Sequence, residues 1–182
     1  MKIGRTLYVS QRKAWCAWLE KNHRTKKEIW LVYPRAHTGK RRISYNDAVE
    51  EGLCFGWIDG IIKKIDADRT AQRWSPRRSR KSFLSETNKE HVRRMIRLGL
   101  MTPAGLEKIQ ARMEEKFVPA PDILVALKRD PQTLKNFRAF AGWYQRIRFG
   151  WIDAARERPE IFRQRLRYLL KMTAQNKRFG ML

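Results

Sequence analysis

An arginine-rich segment at residues 69–82 is the strongest candidate for chemistry in this sequence. It contains no acid and six basic side chains, which are Arg69, Arg73, Arg77, Arg78, Arg80 and Lys81. Planar guanidinium groups bind phosphate oxygens through paired hydrogen bonds, and a tryptophan such as Trp74 can stack on a base. The segment therefore predicts contact with a nucleic-acid backbone. The alternative is a solvated loop whose arginines pair with nearby acids such as Asp66.

The helix predicted after this segment extends the basic surface. It places Lys89, Arg93 and Arg94 opposite the apolar residues Val92 and Met95. No recognised motif for reading bases accompanies these charges, so we expect binding to the backbone without sequence specificity.

Asp59 is the acid with the most specific surroundings. A buried carboxylate at this position must be paired, and Arg69 and Arg73 are the partners within reach on the predicted hairpin. The sequence favours a structural ion pair. The alternative is a ligand pocket at the base of the hairpin, formed by Trp57, Asp59 and Cys54.

Signatures of catalysis and of metal binding fail. The run from Thr38 to Lys40 is similar to a phosphate loop, but Pro34 occupies the position that requires a glycine. The three histidines lack metal-ligand spacing, and the two cysteines form neither a metal motif nor a disulfide framework. We therefore expect no catalytic residue, no metal and no cofactor, and a binding protein rather than an enzyme.

The overall charge points to an anionic partner. The 182 residues contain 41 Lys and Arg against 18 Asp and Glu, a formal net charge of +23. Nucleic acid is the leading candidate, and an anionic membrane or lipopolysaccharide surface would use the same attraction. Non-specific adhesion is the plainer alternative. No signal peptide or membrane span is indicated, so we expect a cytoplasmic protein.

Local patterns predict the elements that position these residues. Ser10 is expected to cap a helix containing Trp15 and Leu19, and residues 28–33 read as a buried strand. Ser44 and Asp47 have capping-box spacing for a short helix that Gly52 helps to end.

A hairpin and a series of helices follow. Residues 58–65 and 69–74 form the two arms of the hairpin. Ser85 and Thr102 are expected to cap two helices, the first of which buries Val92, Met95 and Ile96. Prolines at 131 and 159 open later helices.

The chain is thus predicted to be α+β, with a small antiparallel sheet packed by helices and an all-helical final third. We expect a core domain at 1–115 and a helical extension at 116–182 packed on the same core.

The pentapeptide FGWID occurs at residues 55–59 and again at 149–153. The first copy precedes a β-rich run and the second precedes a helical composition, with no matched periodicity around them. The two copies are therefore predicted to be separate parts of the core and not a duplicated unit.

Several of these blocks resemble the bacterial YdeI/OmpD-associated family, also called bacteriocin-protection proteins. The resemblance runs from about Ala14 to Ile109, with its most specific part in LCFGWIDG (53–60) and in the Pro-Arg-Arg at 76–78. A weaker similarity continues through Tyr144, Arg146, Trp151, Ile152, Ala155 and Arg156. The family pattern is broken at 82–85 and at 156–157.

The resemblance implies a bacterial cytosolic α+β protein linked by name to envelope stress and bacteriocin resistance, with no settled biochemical activity. Residues and resemblance together predict a non-enzymatic polyanion-binding protein. A small-molecule or enzymatic site around Asp59 and an adaptor at anionic membranes are the alternatives.

Overall fold

The computed structural model describes residues 2–78 and 83–180. These residues form four strands, eight α-helices and one short 3-10 helix at Ala36–Thr38. The strands are β1 (Thr6–Tyr8), β2 (Ile29–Pro34), β3 (Trp57–Lys64) and β4 (Arg69–Pro76). The helices are α1 (Arg12–Asn22), α2 (Tyr45–Cys54), α3 (Glu86–Arg97), α4 (Pro103–Met113), α5 (Pro121–Lys128), α6 (Pro131–Ala139), α7 (Gly142–Asp153) and α8 (Pro159–Ala174). The predicted α+β class and the helical final third are confirmed.

The four strands make one sheet in the order β1-β2-β4-β3. The predicted hairpin is present as the antiparallel pair β3 and β4, with a register shift between Asp59 and Ile62. Strand β1 was not predicted, and it pairs with β2 in parallel. Because β4 also pairs with β2, it is an interior strand of the sheet.

Two compact units divide the chain. The first comprises Met1–Leu84 and His91–Glu114, and the second comprises Ser85–Glu90 and Glu115–Leu182. Each has its own cluster of buried apolar residues. The expectation that the helical extension shares the core of residues 1–115 stays a prediction.

Tryptophans dominate the core of the first unit. Trp15 of α1 stacks on Trp18 with ring centroids 5.3 Å apart and meets the edge of Trp74 at 5.6 Å. Trp18 in turn meets Trp57 at 5.5 Å. Aromatic pairs at such distances add to the apolar area they bury. Helix α1 therefore packs against both strands of the hairpin, β3 and β4.

Most of the predicted helix starts are confirmed by their hydrogen bonds. The hydroxyls of Ser44, Ser85 and Thr102 each accept a bond from the backbone N–H three residues later. The prediction for Ser10 is wrong, because the residue at the start of α1 is Gln11, whose side chain forms no cap bond.

Two further expectations about helices are wrong. Gly52 lies inside α2, which continues to Cys54, and the turn with positive φ comes at Gly56 instead. Ile96 was placed on the apolar face of α3, yet 48% of its side chain is exposed. Position 96 thus points away from the face that buries Val92 and Met95.

The two FGWID copies have different structures, as predicted. In the first copy, Trp57 and Asp59 belong to β3. In the second, all five residues lie in α7. Within the described residues, no helix combines the length and the apolar character needed to span a membrane.

Candidate anion-binding cleft

The two arginines nearest the hairpin turn form ion pairs with acidic side chains. Arg69 binds Asp66 at 2.6 Å, and hydrogen bonding to that carboxylate raises the pKa of Arg69. Arg73 Nε donates to Glu28 Oε2 at 2.7 Å. The alternative in which arginines pair with local acids thus applies to Arg69. The expected pairing of either arginine with Asp59 is wrong, because Asp59 accepts hydrogen bonds from Tyr45 and Gln72 instead.

The interpretation of Trp74 as a stacking surface is also wrong. Trp74 is 1% exposed, because β4 is an interior strand and its indole packs against Trp15. Arg77 is also buried, since only 3% of it is exposed. Its Nη1 donates to the carbonyl oxygen of Phe83 at 3.1 Å.

The remaining basic residues of the segment differ in their surroundings. Arg78 is exposed. Arg80 and Lys81, which were predicted to bind phosphate, lie outside the described residues. Residues 69–78 of the segment therefore do not form the continuous exposed row of guanidinium groups that the sequence suggests.

The basic residues of α3 are also partly engaged. Lys89 is buried and binds Glu86 at 3.0 Å, so its predicted role in contacting phosphate is wrong. Arg94 is exposed over about half of its side chain but donates to Glu50. Arg93 is half-buried.

Other basic residues converge on a cleft that lies wholly within the first unit. Its volume is about 1120 Å³. Among the described residues, seven lysines and arginines line it, which are Arg24, Lys26 and Lys27 between α1 and β2, Arg73, Arg77 and Arg78 at the end of the hairpin, and Lys108 on α4. The acids in the lining are Glu28, which is bound to Arg73, and Glu107.

Glycines bring the walls of the cleft together. Gly56 connects α2 to β3 at φ +72°, and a Cβ there would lie 3.1 Å from the carbonyl oxygen of Ala104. A Cβ on Gly105 would lie 2.2 Å from the carbonyl oxygen of Cys54. Thr102 Oγ1 donates to the same oxygen at 2.6 Å. The start of α4 is thereby held against the end of α2, with Lys108 facing the cleft.

Two residues of the cleft lining carry buried polar atoms without partners. Among the described residues, Arg77 Nε and Nη2 and His23 Nε2 are buried and form no hydrogen bond. Burial lowers the pKa of Arg77, and the charge of Asp59 offsets this only in part. A buried cation that lacks a hydrogen-bonded acid is costly, so its presence at a cleft calls for a functional explanation.

Two family models match different parts of the chain. A model described as "Domain of unknown function (DUF8412)" matches residues 7–108, which is more than half of the chain. The chain belongs to the DUF8412 family. Every residue that lines the cleft lies within the DUF8412 match.

A second model, described as "Bacteriocin-protection, YdeI or OmpD-Associated", matches residues 116–176. The predicted resemblance to that family is thus confirmed. It lies where the weaker similarity was assigned, whereas the region of the stronger similarity matches DUF8412. No curated protein and no solved structure is significantly similar to the chain.

The predicted ligand pocket of Trp57, Asp59 and Cys54 is absent from the described residues of the DUF8412 region, because these three residues do not line one cavity. Trp57 lines the basic cleft, and its Nε1 donates to the carbonyl oxygen of His23. Cys54 is 1% exposed, and burial raises the pKa of its thiol to about 12. Asp59 instead binds Tyr45 and Gln72, two residues that line a different cavity.

That second DUF8412 cavity has a volume of about 540 Å³. Its lining includes Tyr33, Arg42 and Gln72 together with apolar groups. The hydroxyl of Tyr33 is buried without a hydrogen-bond partner among the described residues, and burial raises the pKa of Tyr33 to about 12.

A buried charge network of the DUF8412 region was not predicted. Glu50 is 1% exposed and accepts hydrogen bonds from Arg12 at 2.7 Å and from His91 Nδ1 at 3.0 Å, as well as from Arg94. Burial alone would raise the pKa of Glu50, but these bonds hold it below its ordinary value. The only signal in the sequence was two adjacent glutamates within an apolar helix, at 50 and 51.

Proposed function

We propose that the basic cleft of the DUF8412 region binds nucleic acid through its phosphate backbone. The observation that carries this proposal is the convergence of seven cationic side chains on one concave surface with only two acids. A cleft lined by charges of one sign concentrates the field and attracts the opposite charge.

The size of the cleft favours an extended ligand. Sites for small molecules usually have volumes of roughly 300–1,000 Å³, and this cleft has about 1120 Å³. Its cationic side chains come from three separate segments, which suits a chain of phosphates better than one compact anion. An oligonucleotide supplies such a chain.

An aromatic ring in the cleft favours single strands over duplexes. Phe55 is half-buried and lines the cleft, with its ring centroid 5.1 Å from that of His23. Proteins that bind single strands combine a basic groove with aromatic rings on which unpaired bases stack. In this proposal Phe55 takes the role that the sequence assigned to Trp74.

Salt titration with a fluorescent single-stranded oligonucleotide tests the proposal. Phosphate neutralisation predicts a linear fall of log affinity with log salt, with a slope of about −0.7 for each phosphate contacted on a single strand. The double variant Lys26→Glu/Lys27→Glu should weaken binding at low salt and flatten this slope. The control Lys40→Glu/Arg41→Glu makes the same charge change in an exposed pair outside the cleft.

Three results would contradict the proposal. The first is that the wild-type protein does not bind the oligonucleotide at low salt, and the second is that both double variants lose affinity equally. In a third case, vesicles containing anionic lipid compete better than nucleic acid at equal phosphate, which would favour the membrane adaptor. A link to envelope stress or bacteriocin resistance and a cytoplasmic location stay predictions.

The second cavity supports another candidate function, the binding of a small molecule. Its volume of about 540 Å³ is in the usual range, and the Tyr33 hydroxyl offers an unpaired polar atom. Screening a metabolite library by thermal shift, with Tyr33→Phe as the comparison, tests this candidate. A hit that stabilises both proteins equally would argue against binding at Tyr33.

A further inference from the structure

We infer that the basic cleft contains a subsite for a single phosphate group, centred on the buried guanidinium of Arg77. This inference rests on the proposed function and specifies it. It assigns the cleft to the phosphorylated end of a nucleic-acid strand, where a phosphomonoester carries more charge than an internal diester.

Arg77 is fixed in position by hydrogen bonds, but part of its guanidinium group has no hydrogen-bond partner among the described residues. Its backbone N–H donates to the carbonyl oxygen of Gly56 at 2.8 Å, and its Nη1 donates to Phe83. Both bonds fix the residue, while Nε and Nη2 have no partner among the described residues. Nε and Nη2 form one edge of the guanidinium fork, the geometry that binds two oxygens of a phosphate.

The charge of Arg77 can act on the cleft although the side chain is buried. Electrostatic attraction is stronger through protein than through water, so the charge of Arg77 attracts an anion that enters the cleft. Glu28, an acid of the cleft lining, is already paired with Arg73. An incoming phosphate would supply the compensating charge that Arg77 lacks.

His23 provides a second unpaired group in the same cleft. Its Nδ1 lies 2.9 Å from the carbonyl oxygen of Leu19, so Nδ1 carries the proton and Nε2 is left to meet a ligand. In the neutral ring Nε2 accepts from a ligand hydroxyl, and in the protonated ring it donates to a phosphate oxygen.

The segment at residues 55–57 connects the two groups. Trp57 Nε1 donates to the carbonyl oxygen of His23, and Gly56 accepts from Arg77. His23 and Arg77 are thus anchored to adjacent residues of one turn, and the ring of Phe55 lies beside His23. A terminal nucleotide could place its phosphate at Arg77 and its base against Phe55.

The test compares two oligonucleotides of one sequence, with and without a terminal phosphate at the 5′ or 3′ end. Wild-type protein should bind one phosphorylated form about tenfold more tightly, the effect of a charge-assisted hydrogen-bond pair. Arg77→Met should abolish this preference, because it should weaken binding of the phosphorylated strand more than binding of the hydroxyl-ended strand. Arg69→Met removes the arginine at the start of β4, which lies outside the cleft lining, and should keep the preference.

A second pair of variants keeps the test valid if Arg77→Met does not fold. Ala104 lines the cleft in the first turn of α4, where a glutamate is favourable for the helix. Ala104→Glu should therefore fold and lose the preference for the phosphorylated end, whereas Ala104→Gln should keep it.

The inference and the proposed function fail in different ways. If no oligonucleotide binds to the wild-type protein, both are wrong. If oligonucleotides bind with no preference for either phosphorylated end, or if the preference survives in Ala104→Glu, only the phosphate subsite is wrong.

Discussion

Arg73 Nε donates a hydrogen bond of 2.7 Å to Glu28 Oε2, which closes an ion pair on the wall of the basic cleft. Hydrogen bonding from Arg73 lowers the pKa of Glu28, so the pair is charged at neutral pH. Glu28→Gln should release Arg73 toward the cleft and tighten oligonucleotide binding by about two- to fivefold, with a steeper salt slope. Fluorescence anisotropy across a salt series measures both quantities.

Glu20→Gln is the matched control for this substitution. Glu20 is an exposed residue of α1 outside the cleft lining, so its substitution changes the net charge equally. If both variants tighten binding to the same extent, the gain comes from net charge and not from the release of Arg73.

Phe55 should contribute to the binding of single strands. Phe55→Leu keeps an apolar side chain at a half-buried position but removes the ring, so we expect affinity for a single-stranded oligonucleotide to fall by roughly 1–3 kcal/mol. Phe83→Leu, which alters an aromatic residue that is 75% exposed and outside the cleft lining, should bind normally. Equal affinity of Phe55→Leu and wild type would argue against stacking on this ring.

Glu50→Gln should destabilise the first unit by roughly 3–5 kcal/mol at neutral pH, because it leaves the network of Arg12, His91 and Arg94 without its buried anion. Urea unfolding at pH 7 measures this loss. Glu20→Gln should change the free energy of unfolding by less than about 0.5 kcal/mol.

Acid should reduce the advantage of the wild-type protein over Glu50→Gln. The folded-state pKa of Glu50 is below its ordinary value of 4.5, so the stability it confers is complete above that pH. The difference between the two proteins should shrink as the pH falls below 4.5 through the folded pKa. A difference that is constant from pH 7 to pH 3 would contradict this assignment.

Gly105 should tolerate no side chain. A Cβ would lie 2.2 Å from the carbonyl oxygen of Cys54, which is backbone and cannot turn aside. Gly105→Ala should therefore lower the free energy of unfolding by about 1–3 kcal/mol and reduce oligonucleotide binding by displacing α4. At Gly142, where the nearest atom is the flexible end of Arg146 at 3.6 Å, alanine should be neutral or stabilising.

Short-range chemistry made part of the fold predictable. The capping bonds of Ser44 and Thr102 join groups three residues apart, and the hairpin joins neighbouring strands. Such contacts join residues that are close in the sequence. The spacing of residue types therefore predicted these elements and the overall fold class.

The candidate site was harder to predict because its contacts join distant parts of the chain. Arg73 and its partner Glu28 are 45 residues apart. Trp74 is buried because β2 and β3 flank β4, and that order depends on pairings that local periodicity does not contain. Sequence reasoning thus found the right charge on the hairpin but not which cations face a common cleft.

The two identical pentapeptides cannot be used to align one half of this chain with the other. The first leads into a strand, whereas the second ends a helix. Superposing the two halves of the chain on this pentapeptide would equate residues that line the basic cleft with residues at the end of α7. Any roles assigned to residues 149–153 by such a superposition would be transferred between non-equivalent positions.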